Sequence, residues 1–184
     1  MGLLSEGTPL DWYTTQQNAE HVRTQGIKQF IYIHKKFKDR RNDPFKWGDE
    51  LEFSLVKFDH VNKRCYLLLK AEQVLNELNE QKNDKQTNLA KFHPEYASYM
   101  VEATPNTPFG STLECFSSIE ENMKLRRSLI QNKLDIDEYC MSLTNFPRLG
   151  CANFTWPNYD PKPKDGITRS LFFPDQAIFN GHPR

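Results

Sequence analysis

The sequence predicts an α+β domain built on an antiparallel sheet with flanking helices. Three observations carry that reading. Residues 49–55 alternate polar and apolar at a period of two, with Leu51, Phe53 and Leu55 set against Glu50, Glu52 and Ser54. A second apolar run, 64–69, follows the turn-forming Asp59-His60-Val61-Asn62, so 49–69 reads as a hairpin. Segments with helical spacing stand on either side, at 8–41, 71–80 and from 111 into the 130s.

Taken in order, Thr8-Pro9 marks a helix start with proline at the first position. Gly26 is a natural stop, so 8–41 reads as two helices. The second ends at Asn42-Asp43-Pro44, and its basic run from Lys35 to Arg41 complements the helix dipole. In the first strand the apolar parity flips at Val56 and Phe58. That signals a bulge or a strand end buried on both faces. Residues 81–91, rich in Asn, Gln and Lys, read as a surface loop. A third strand is expected over 96–102, a rigid proline loop over 104–110, and a fourth strand over 139–146. Residues 152–184 read as an irregular, proline-rich tail of a single domain spanning 1–184.

At 184 residues the chain is long enough to bury a core without staples. Lys plus Arg and Asp plus Glu both count 24, so net charge gives no case for nucleic acid or an anionic membrane. No stretch approaches the roughly 20 apolar residues of a membrane span. There is no secretory h-region behind Met1. A cytoplasmic location follows, with Cys65, Cys115, Cys140 and Cys151 reduced. No two of these share metal-type spacing with a histidine, and they read as small apolar residues. His34, His60 and His93 show no ligand spacing and receive no role.

Glu50 and Glu52, at i and i+2 of a strand, project from one face. Two close carboxylates repel unless a cation or protons compensate, and magnesium takes one or two carboxylates together with nucleotide phosphates. The same pattern also fits the wet face of a half-buried strand. Glu95 and Glu102 lie seven residues apart, so a regular strand would point them to opposite faces. They reach one site only if the chain bends or if Glu95 precedes the strand. Arg126 and Arg127 on the long helix read as solvent-exposed, and Arg148 is a weak candidate contact for an anionic cofactor.

Lys46-Trp-Gly-Asp-Glu-Leu-Glu-Phe53 and His93-Pro-Glu-Tyr-Ala-Ser-Tyr-Met-Val-Glu-Ala-Thr-Pro105 resemble signatures of eukaryotic glutamate–cysteine ligase catalytic subunits. Met1-Gly-Leu-Leu-Ser-Glu-Gly-Thr-Pro9, Phe146-Pro-Arg-Leu-Gly-Cys151 and Ser170-Leu-Phe-Phe-Pro-Asp175 look like the same family, all in order along the chain. The resemblance implies a glutamine-synthetase-like catalytic fold whose strand acids hold Mg2+ against ATP. It assigns Glu50, Glu52, Glu95 and Glu102 to the metal. It implies ATP-dependent joining of the glutamate γ-carboxylate to the amine of cysteine, the first step of glutathione synthesis, and a possible modifier subunit as partner. Family catalytic subunits are longer than 184 residues, so the chain is expected to be an amino-terminal portion. A short non-catalytic relative that pairs with a ligase subunit is the second reading.

Overall fold

The computed structural model describes residues 10–80, 87–166 and 168–178. The expected helix start at Thr8-Pro9, most of the polar loop and the segment from 179 on lie outside them. The residues up to Pro44 form one compact unit and those from Phe45 onward a second.

The first unit contains one helix, α1 (Trp12–Phe37), in place of the two expected. Asp11 caps it, its carboxylate accepting from Thr14 N at 2.9 Å. Gly26 does not stop it. A mid-helix glycine costs only about 1 kcal/mol, which a helix of 26 residues absorbs. His34, Lys35 and Lys36 fill the last turn, where cations meet the negative end of the dipole.

The second unit is a six-stranded, mostly antiparallel sheet with helices against it. Its elements are β1 (Leu51–Asp59), β2 (Arg64–Leu68), α2 (Ala71–Glu80), β3 (Ala90–Pro94), β4 (Met100–Pro105), α3 (Glu114–Gln131), β5 (Glu138–Met141), β6 (Thr155–Trp156) and the single-turn α4 (Asp175–Ile178). The strand order is β3-β4-β1-β2-β6, with β5 also on β1; only β2–β6 is parallel. The long β1 serves three partners in succession: β4 pairs with Leu51–Ser54, β5 with Ser54–Lys57, and β2 with Val56–Asp59.

The parity flip in β1 marks a strand buried on both faces. Phe53 and Leu55 enter one core cluster; Val56 enters another. The first cluster collects Ala71, Val74, Leu75 and Leu78, the i, i+3, i+4, i+7 stripe of α2, together with Phe92, Val101 and Ile130. Burying each such Val, Leu, Ile or Phe side chain contributes about 1.5–3 kcal/mol. The second joins Val56 and Leu67, paired across β1 and β2, with Tyr99, Phe146 and Phe154. Helices α2 and α3 therefore cover one face of the sheet, while short strands and loops cover part of the other.

The expected third strand is corrected. Residues 96–99 are a bend and turn, and the strand runs 100–105, preceded by β3, which begins at the end of what reads as polar loop. Alternation over 90–94 is present in Ala90 and Phe92, both buried. It is too short to stand out beside the Asn- and Lys-rich stretch before it. The fourth strand is likewise shorter than expected, ending at Met141. At its start Glu138 is buried, held by Lys70 Nζ at 2.8 Å and by the backbone N–H of Asp135 at 3.1 Å.

Candidate functional site

The β3–β4 hairpin resolves the difficulty of placing Glu95 and Glu102 together. Glu52 on β1 lies opposite Glu102 on β4, and Glu102 lies opposite His93 on β3. The three form a row across three strands, and directly opposed residues have Cβ atoms about 4.5–5.5 Å apart. Glu50 and Glu95 lie just outside β1 and β3, and both are near enough to Glu102 for their charges to act on it. The row lies on the face opposite α2 and α3, since Glu52 shares its parity with Val56.

Glu102 is the centre of the group. Its side chain is buried, with the residue 2% exposed, whereas Glu50 and Glu52 are exposed and Glu95 is half-buried. Burial pushes the Glu102 carboxyl above the ordinary carboxylate range, and the charges of Glu50, Glu95 and Glu52 push it further the same way. The face is thus rich in carboxylates, a donor set of hard oxygens that suits a hard divalent cation. Among the described residues, no three His, Cys, Asp or Glu side chains are close enough in this conformation to hold a metal ion. His93, half-buried, is held below its usual pKa by burial and by Lys91, against the pull of Glu50.

Arg126 corrects an expectation. It is fully buried, while Arg127 is exposed as read from the sequence. From α3 its guanidinium donates to Ala103 O at 2.7 Å and to Asp49 Oδ2 at 2.5 Å. Ala103 adjoins Glu102 and Asp49 adjoins Glu50, so one side chain ties together the acid-bearing ends of β1 and β4. No sequence signal separated it from Arg127; only helix phase against the sheet does so.

Arg148 donates to three carbonyls, Cys65 at 2.8 Å, Asn153 at 2.9 Å and Ala152 at 3.2 Å, and stacks over Tyr66. It ties the 148–153 turn to β2. All four cysteines are free thiols. His93, given no role from spacing, joins the row only through strand pairing, and the register of a five-residue edge strand is not readable from its own residues.

Beside the acid row lies an open groove of 770 Å³ lined by Lys46, Trp47, Glu50, Lys91, His93 and Asn106, among others. Trp47 fixes one wall. It exchanges backbone hydrogen bonds with Phe109, donates its indole N–H to Gly110 O at 2.9 Å, and packs on Phe109 and Phe116.

Residues 1–184 match the sequence model of the glutamate-cysteine ligase family. The chain belongs to the glutamate–cysteine ligase family. It is 47% identical over its whole length to the glutamate–cysteine ligase catalytic subunit of Rattus norvegicus, covering 29% of that protein. It is 44% identical to the glutamate–cysteine ligase of Candida albicans, covering 27%, and 36% identical to that of Dictyostelium discoideum, covering 28%. The chain thus spans less than a third of the length of these ligases. Among the described residues no helix is long and apolar enough to cross a membrane.

Proposed function

We propose that the acidic face is the metal-binding part of an ATP-dependent glutamate–cysteine ligase site. In this reading the chain is the amino-terminal part of a glutamine-synthetase-like catalytic domain, acting in the cytoplasm. The observation that carries the proposal is the buried Glu102 set opposite Glu52, with two further carboxylates near enough for their charges to act on it. Buried carboxylates without a cationic partner are costly, and sites of this kind concentrate where function demands them. Glu50, Glu52, Glu95 and Glu102 would hold Mg2+. When bound, the ion would neutralise phosphate charge and help align an in-line displacement.

The reaction needs little covalent help from the protein. The γ-carboxylate of glutamate attacks the terminal phosphorus of ATP, releasing ADP and giving an acyl phosphate. The amine of cysteine then attacks the acyl carbon, and inorganic phosphate leaves with the bonding pair as the amide forms. The chain's own residues orient and hold charge. Arg126 fixes the strand ends from which Glu50 and Glu102 project, and the helix-backed sheet keeps their spacing rigid. Glutamate, cysteine and ATP are the substrates of this reading, with a modifier subunit as a protein partner.

The test is phosphate release from Mg-ATP in the presence of glutamate and cysteine, with the Glu52→Gln, Glu102→Gln double variant as control. Release that requires both amino acids and disappears in the variant would establish a self-sufficient minimal ligase and confirm the carboxylate site. A folded chain that releases no phosphate would leave the family assignment standing and mark the chain as an amino-terminal fragment or as a non-catalytic relative that pairs with a ligase subunit.

A further inference from the structure

Helix α1 carries an apolar seam that nothing in its own unit covers. Trp12, Ala19, Gly26 and Ile33 recur every seven residues, and Val22, Phe30 and Phe37 stand three or four positions from them. All seven therefore line one side of the unbroken helix, from its first residue to its last. No residue of α1 is buried, and Trp12, Val22 and Phe30 are 68%, 66% and 68% exposed. Among the described residues of the first unit, α1 is the only helix or strand.

Gly26 points to what the seam meets. A glycine inside a helix costs about 1 kcal/mol against alanine. A Cβ at Gly26 would meet nothing within 4 Å, and its backbone is ordinary helix, so α1 by itself has no use for a glycine there. A missing side chain near the middle of a seam lets a second helix cross at short range.

An antiparallel copy of the same helix fits this seam in three respects. When Trp12 is level with Phe37 of the second copy, Ala19 is level with its Phe30, small against large, and Val22 and Gly26 of both copies meet at the crossing. The basic last turn, His34 to Lys36, then comes beside Asp11 of the second copy, and the two helix dipoles oppose. A parallel pair would instead set two basic turns side by side. The exposed areas of Trp12, Val22, Phe30, Ile33 and Phe37 from two copies come to roughly 1,300 Å², above the ~1,000 Å² that a specific interface needs. We propose that α1 is a dimerisation helix, its occupant α1 of a second copy of this chain, packed antiparallel with Gly26 at the crossing. This pairing is independent of the acid row and its chemistry.

Sedimentation equilibrium of the chain, from about 1 to 200 µM, tests it; a reversible monomer–dimer equilibrium with a micromolar midpoint is expected. Phe30→Glu should weaken the dimer at least about thirtyfold, as loss of a central aromatic contact does. Gly26→Leu separates the crossing from a simple gain in helix propensity. Circular dichroism should show a more stable helix, because leucine is the better helix former. The dimer should nevertheless weaken about tenfold, because the new side chain stands between the two backbones. Gln17→Glu, on the opposite side of α1, should change nothing and serves as the control. A chain that is still monomeric at about 200 µM would overturn the proposal and leave the seam to a different polypeptide. A dimer indifferent to Phe30→Glu would also overturn it, by placing the contact on the second unit. A dimer tightened by Gly26→Leu would overturn the close crossing.

Discussion

Glu102→Gln is expected to make the metal-free chain more stable at pH 7 while weakening divalent-cation binding by roughly ten- to a hundredfold. The sign follows from the direction of the shift. Burial and three neighbouring carboxylates raise the Glu102 pKa above its ordinary 4.5. A group with a raised folded-state pKa contributes stability that is complete below the unfolded value and is lost as pH rises through the folded one. Glutamine keeps the shape of the protonated acid and never ionises. Thermal unfolding without divalent ions should therefore show variant and wild type separated by a constant amount below pH 4.5. The gap should open in favour of the variant as pH climbs from 4.5 to the raised pKa and stay constant above it. Saturating Mg2+ should reverse the order by stabilising only the wild type. A wild type more stable than the variant at pH 7 without metal would contradict the electrostatic account. The trade is the one expected where binding is maintained at the expense of stability.

Arg126→Ala is expected to cost about 3–5 kcal/mol, the range for removing one member of a buried ion pair. The loss has three parts. Asp49 keeps a largely buried charge without its partner, and its Oδ1 already lacks a hydrogen bond in the folded chain. Ala103 O loses its 2.7 Å donor, and a side-chain-sized void opens between α3 and the sheet. Since domains are stable by about 5–15 kcal/mol, such a loss leaves little margin. Arg126→Lys should recover only part of it, because one ammonium group cannot reproduce the fork that spans Asp49 and Ala103. Urea unfolding of Arg126→Ala, Asp49→Ala and the double variant forms a cycle. The account expects Asp49→Ala to cost clearly less in the Arg126→Ala background than in the wild type. Additive losses would mean that the pair does not couple.

How much of this was readable from the sequence depends on the length of each element. The β1–β2 hairpin and α2 are long, and their periodicity is clean, so pattern alone locates them to within a residue or two. The two faces of β1 were also legible, as the change of parity between Leu55 and Val56. The β3–β4 hairpin was not. Five residues of β3 beside a polar stretch carry too little alternation, and without that strand a regular strand points Glu95 and Glu102 to opposite faces. The acids themselves were singled out by residue type, spacing and family resemblance. What remained hidden is what only tertiary contact reveals: Glu102 is buried, His93 lies opposite it, and Arg126, alike in sequence to exposed Arg127, is the buried tie. Gly26 shows the opposite limit, a strong local stop signal overridden within a helix of 26 residues.

The central claim is that the carboxylate face centred on Glu102 binds a divalent cation. The most direct measurement is a Mn2+ titration of the chain followed by paramagnetic resonance, with Mg2+ as competitor, for the wild type and for Glu52→Gln, Glu102→Gln. The account predicts saturable Mn2+ binding to the wild type, displaced by Mg2+, and its loss in a double variant that still unfolds cooperatively. Equal Mn2+ affinity in the two proteins would contradict it.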